Sequence, residues 1–185
     1  MSSGAVLGSE TSGIRPITLD DVPTVVDMVR ELAAYERAEH EARMTVEQLT
    51  AVLSAPDSPV SGHLAVTPDG EPAGFALWFR TFSTWRGTLG IHLEDLYVRP
   101  QHRGGGYGRE LLRTLAELCV QHGWSRLEWA VLDWNTPAID FYRSVGAAPQ
   151  EGWSVFRLTD DALTGLAADV RPTRPYPPSD PTEET

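Results

Sequence analysis

Apolar and polar positions change period several times along this chain, and each change marks an element. Ile14 to Leu19 reads as a short strand, and behind Asp20 and Asp21 the residues Val22, Val25, Val26, Val29 and Leu32 fall at helical spacing. Thr45 with Gln48 has the form of a capping box opening a second helix through Leu53. The period then shortens. His63 to Thr67, Ala73 to Phe82 and Thr88 to Val98 are strand-like, separated by Pro68-Asp69-Gly70 and by Trp85-Arg86-Gly87, and predict three consecutive antiparallel strands. Leu111, Leu112, Leu115, Leu118 and Cys119 form the buried stripe of a long helix that Gly123 ends. Arg126 to Leu132 returns to strand, Thr136-Pro137 starts a further helix that Gly146 closes, and Trp153 to Leu158 supplies a last strand. The order predicts an α/β (mixed α+β) fold in which helices flank a mixed sheet.

The ends fall outside this pattern. Met1 to Gly13 is small and polar, and Arg171 to Thr185 carries five prolines, so both are expected to be disordered around a single domain over residues 14–170. A length of 185 residues suits one domain with a real core. The formal charge of −11 argues against a nucleic-acid partner, which needs excess basic residues, and favours a small cationic one. No apolar run approaches a membrane span and the first residues do not read as a signal peptide, so a cytoplasmic protein with no membrane partner is expected. A single cysteine, Cys119, excludes an internal disulfide, and its place on the apolar stripe points to packing rather than to a nucleophile. The five histidines show no paired ligand spacing, so no metal is expected.

The most informative stretch runs from Ile91 to Arg109, IHLEDLYVRPQHRGGGYGR. Its apolar face changes parity between Leu93 and Leu96, which a bulge at Glu94-Asp95 would explain, as would a strand partly buried on both faces. A bulge leaves backbone amides without ladder partners, able to receive a ligand carbonyl. The loop Arg103-Gly104-Gly105-Gly106-Tyr107-Gly108 then sits between strand and helix. There its amides and the helix N-terminus suit a pyrophosphate, although an ordinary strand-to-helix turn has the same look. It matches neither the Walker nor the dinucleotide spacing.

From Arg103 to Gly108, with the bulged strand before and the long helix after, the chain resembles the acyl-CoA loop of the GNAT N-acetyltransferase superfamily. Glu31 to Glu36, Glu94-Asp95, Val131 to Asn135, Phe141-Tyr142 with Gly146-Ala147, and Glu151-Gly152-Trp153 resemble its diamine acetyltransferase branch, the spermidine/spermine N1-acetyltransferase-like proteins. The resemblance covers about Ile14 to Leu163. It implies the GNAT fold, a central, mostly antiparallel sheet with helices on both faces, and acetyl-CoA as co-substrate.

Site residues follow from the same resemblance. Arg103, Gly104, Gly105, Gly106, Tyr107, Gly108 and Arg109 would hold the pyrophosphate. Leu96, Tyr97 and Val98 would meet the pantetheine and thioester through the amides of Leu96 and Val98, with Asn135, Thr136, Pro137 and Ala138 flanking the cofactor arm. Tyr142 would be the general acid and Glu94 the acceptor of the amine proton. Tyr35, Glu36, Glu94, Asp95, Glu128, Trp129, Ala130 and Glu151 would form the amine site. A homodimer is implied as well, with the aromatic-rich Trp153 to Leu158 available to meet a partner chain.

Elementary chemistry asks for such groups. An amine of pKa about 10.4 is neutral at pH 7 in roughly one molecule in ~2,500, a cost of about 4.6 kcal/mol, so a carboxylate must take its proton. A hydroxyl that protonates the leaving thiolate contributes typically ~10²–10⁴-fold. Without the resemblance Tyr142 reads first as a core aromatic beside Phe141, and the alternative for Asn135, the chain's only asparagine, is a plain helix-start residue beside Thr136. Polyamine acetylases of this branch carry an acid in the turn that here reads Ser83-Thr84-Trp85, so a shorter diamine, a thialysine-like amino acid or another small amine stands beside a polyamine as a candidate acceptor. The competing class is an acyl-CoA-binding module without catalysis, which would have no need of Glu94 and Tyr142.

Overall fold

The computed structural model describes residues 13–168, in two compact units that divide between Val145 and Gly146. The first unit holds five strands, β1 Ile14–Pro16, β2 Val60–Val66, β3 Pro72–Ser83, β4 Thr88–Val98 and β5 Leu127–Glu128. They lie in the order β1-β2-β3-β4-β5. All neighbours are antiparallel except β4 and β5, which run parallel. Four helices accompany them: α1 Val22–Tyr35, α2 Val46–Ser54, α3 Tyr107–His122 and α4 Thr136–Ser144. The mixed, mostly antiparallel sheet is as expected.

Alternation along the strands divides the core in two. Ala65, Ala76, Trp78, Ile91 and Leu93 face α3, whose Leu111, Leu112, Leu115 and Cys119 close over them. Leu64, Phe75, Leu77 and Tyr97 face the other way, against Val22, Val25, Val26 and Met28 of α1 and Leu49 of α2. Each large side chain so buried contributes about 1.5–3 kcal/mol. Cys119 is an ordinary member of the α3 core, and burial pushes its thiol up, as its place on the apolar stripe predicts.

The helix ends obey local rules. Thr45 Oγ1 accepts from Gln48 N at 3.3 Å while Thr45 N donates to Gln48 Oε1 at 2.9 Å, the reciprocal capping box. Gly123 ends α3 in the left-handed region, at φ 66°. Between β1 and α1 the guanidinium of Arg15 bonds both carboxylate oxygens of Asp21 at 2.6 and 2.7 Å, holding that carboxyl well below its usual range.

Three expectations need correction. The strand at Arg126 to Leu132 is only Leu127–Glu128, because the residues that follow leave the sheet. In the second unit Trp153 to Leu158 is not a strand, and α5, Asp160–Ala168, follows it. Gly13, assigned to a disordered end, accepts a hydrogen bond from Val66 N at 2.6 Å. The remainder of that end and residues 171–185 lie outside the described residues.

Candidate active site

The register of β4 on β3 slips once. Leu77 pairs with Asp95 and Trp78 with Leu93, so Glu94 is the extra residue of a bulge at the position that the parity change predicts. Two backbone bonds show what the slip does. Ile91 N donates toward β5, to Arg126 O at 2.9 Å, whereas Arg99 N donates toward β3, to Ala73 O at 2.9 Å. Residues at an even separation point the same way in an unbroken strand. The bulge has therefore reversed the alternation, and the amides of Leu96 and Val98 face away from β3. Pairing with β5 stops at His92 and Glu128, so among the described residues no strand covers these amides. They are donors placed where a carbonyl oxygen gaining negative charge is stabilised.

Downstream, Gly104 and Gly106 adopt φ 78° and 85°, a conformation that a side chain resists, and a Cβ at either would meet nothing within 4 Å. Gly106 caps α3, whose first internal bond runs from Glu110 N to Gly106 O at 3.0 Å, leaving the amides of Tyr107, Gly108 and Arg109 to an outside acceptor. The loop and the uncovered edge of β4 thus suit a phosphorylated, amide-bearing ligand such as acetyl-CoA. Arg103, expected at the pyrophosphate, instead donates to Val98 O at 3.0 Å and lies over the rings of Tyr35 and Tyr97, at 4.9 and 5.9 Å.

Asn135 is buried and caps α4, its Oδ1 accepting from Ala138 N at 3.3 Å, with Thr136 and Pro137 in the first turn. The same oxygen accepts from the Tyr35 hydroxyl. Tyr35, expected among the amine-site residues, therefore braces α1 against the start of α4. Trp134 joins this brace, 6.1 Å from the Tyr35 ring and beneath Arg37 at 5.7 Å. Sequence reading missed the Tyr35, Arg103 and Trp134 cluster, since no local pattern announces contacts between such distant segments.

Tyr142, on α4, packs against Trp129 with ring centroids 4.8 Å apart and against Phe141 at 5.4 Å. It is thus a packed aromatic of the core beside α3. Burial, with the negative charge of Glu36, pushes Tyr142 up to about 12. Glu36 caps the end of α1 and is itself raised by burial. Asp95 is pushed up to about 6, first by burial and then by the charges of Glu94 and Glu36. The negative charge of Glu36 thus reaches both Asp95 and Tyr142. Glu94, by contrast, is 62% exposed and stands 3.8 Å from His92 Nε2.

The remaining amine-site candidates divide. Trp129 is beside Tyr142, while Glu128 is paired with Arg126 at 3.1 Å and Ala130 is exposed beyond the end of β5. Glu151 belongs to the second unit, an exposed turn residue.

Residues 25–147 match the acetyltransferase (GNAT) family. The chain belongs to that family. A thialysine N-epsilon-acetyltransferase of Caenorhabditis elegans is 39% identical over 154 residues, covering 82% of this chain and 94% of that protein. Another, of Bos taurus, is 35% identical over 172 residues, covering 83% and 96%. Among solved structures, an integron cassette protein of Vibrio cholerae superposes with a TM-score of 0.69 at 26% identity, covering 83% of this chain and 96% of that one. This GNAT protein is an acetyl-CoA-dependent N-acetyltransferase. No helix among the described residues is long and apolar enough to cross a membrane.

Proposed function

We propose that this GNAT enzyme acetylates the side-chain amine of a small cationic amino acid of the thialysine type, or a short diamine, by direct attack with both substrates bound. The observation that carries this reading is the bulge of β4, which leaves amides uncovered and turns Asp95 inward, where the charge of Glu36 reaches both it and Tyr142. Acetyl-CoA brings the acetyl group as a thioester. The amides of Leu96 and Val98 receive the carbonyl oxygen as it gains charge, and the Gly104 to Arg109 loop holds the phosphates. Tyr142, still protonated at neutral pH, gives its proton to the departing sulfur. The carboxylates of Glu36, Glu94 and Asp95 draw the ammonium in, and one of them relieves it of a proton. The absence of an acid in Ser83-Thr84-Trp85 and the thialysine enzymes among the relatives support the shorter acceptor over a polyamine.

An acceptor panel tests this: thialysine, lysine, ornithine, putrescine and spermidine, each with acetyl-CoA, with released thiol measured. Highest kcat/KM on an amino acid or the short diamine is expected, and a preference for spermidine would refute it.

We further propose a homodimer. Val155 and Phe156 are 90% and 94% exposed in the irregular stretch before α5, and covering such apolar surface gains about 25 cal/mol per Å². A second copy of the chain is the occupant argued for. Sedimentation of a monomer throughout the micromolar range would exclude it.

A further inference from the structure

We infer that Asp95, not its neighbour Glu94, is the residue that takes the proton from the acceptor amine. The inference rests on the proposed acetyl transfer and deepens it.

Adjacent residues in a strand point to opposite faces, and the bulge decides which of these two acids turns inward. Asp95 keeps a regular partner, Leu77, and so lies on the same face as Tyr97, toward α1, where Glu36 ends the helix. Glu94 is the unpaired residue of the bulge, exposed and leaning on His92. Proximity to a histidine gives Glu94 a partner within the chain.

Asp95 and Glu36 have none. Three partly buried acids of the first unit do meet an arginine: Asp21 meets Arg15, Glu31 meets Arg99 and Glu128 meets Arg126. Among the described residues no cation of the chain pairs with Asp95 or Glu36. Two acids set near one another with no internal counter-ion form a costly arrangement, one that an incoming ammonium relieves. Burial, and after it the charges of Glu94 and Glu36, also narrow the gap between carboxyl and amine by pushing Asp95 up to about 6. Burial sets its titration first, followed by Glu94 on its own strand and Glu36 at the end of α1.

The transfer balances as follows. One N–H proton of the ammonium passes to Asp95 Oδ, and the freed lone pair forms the C–N bond to the thioester carbonyl. The C–S bond breaks, and the sulfur takes the Tyr142 phenolic proton. The second proton shed by the new amide nitrogen restores Tyr142, and Asp95 returns its own to solvent. Glu36 stays ionised and holds the cation in place before the transfer.

Two acceptors that differ in basicity test the assignment: thialysine, and a fluorinated analogue whose amine is already neutral at the assay pH. Asp95→Asn is expected to lower kcat on thialysine ~10²–10⁴-fold but on the neutral amine by less than tenfold. Glu94→Gln is expected to change the two acceptors by the same factor. An equal loss on both acceptors in Asp95→Asn, or a loss confined to thialysine in Glu94→Gln, would overturn the assignment. Stabilisation by acetyl-CoA reports that each variant is folded, and Asp95→Ser provides the same ratio if the asparagine variant does not fold. Failure of the underlying reading looks different, since the wild-type enzyme would then release no thiol with either amine.

Discussion

Tyr35, the last residue of α1, donates its hydroxyl to Oδ1 of Asn135 at 3.1 Å, joining the helix end that carries Glu36 to the cap of the helix that carries Tyr142. Through this bond the acid and the phenol are held by one brace. Tyr35→Phe keeps the ring under Arg103 and loses only the bond, so a loss of about 0.5–1.5 kcal/mol is expected, a fall in Tm of roughly 2–4 °C per kcal/mol. Tyr35→Ala should lose a further ~0.5–1 kcal/mol with the cation–π contact. Equal melting temperatures for the two variants would show that the ring contributes nothing.

Gly106 and Gly70 form a matched pair. Both are left-handed, at φ 85° and 84°, and a Cβ on either meets nothing within 4 Å, but only Gly106 stands at the N-terminus of α3. Valine at each position should cost a similar ~1–2 kcal/mol of backbone strain. Thermal stabilisation by acetyl-CoA should survive in Gly70→Val and vanish in Gly106→Val. Its persistence in the second variant would remove the loop from cofactor binding.

Tyr142 is held near 12, so it remains a proton donor where an ordinary tyrosine ionises. Wild-type kcat should therefore show no fall around pH 10. Tyr142→Phe should lower kcat by about ~10²–10⁴ with little change in acetyl-CoA affinity. Wild-type turnover in that variant would exclude Tyr142 as the acid.

Asp95 also has a signature in stability. Its folded value of about 6 lies above the ordinary 3.8, so the folded protein binds this proton more tightly than the unfolded chain does. The sign is the reverse of a salt-bridged acid. The group's contribution is most favourable below pH 4, falls between about 4 and 6, and is constant above, a loss of up to about 3 kcal/mol. Asp95→Asn should therefore be more stable than wild type at pH 8 by up to that amount, with the difference shrinking toward pH 4. Urea unfolding at the two pH values measures it, and an advantage independent of pH would show that Asp95 is not raised.

Local pattern and tertiary structure divide the credit along physical lines. The capping box of Thr45 and Gln48, the α3 stripe ended by Gly123 and the parity change that marks the bulge all depend on residues close in the chain. Periodicity alone reveals them, because backbone geometry over a few residues sets the spacing. A strand differs, since it exists only where another backbone completes its hydrogen bonds. Trp153 to Leu158 has the composition of one and is not one, and β5 is shorter than its apolar run.

The motif marked Glu94 and Asp95 as a pair of acids, but their neighbours were settled by the register slip and by the end of α1, which brings Glu36 near Asp95. Likewise Tyr35 and Arg103 were legible as members of a site, whereas their contact with each other and the Tyr35 bond to Asn135 required the folded chain. Spacing along a chain carries information about which face a residue occupies. What stands opposite that face is decided by packing between elements far apart in sequence, and the sharing of charge and protons in the site depends on it.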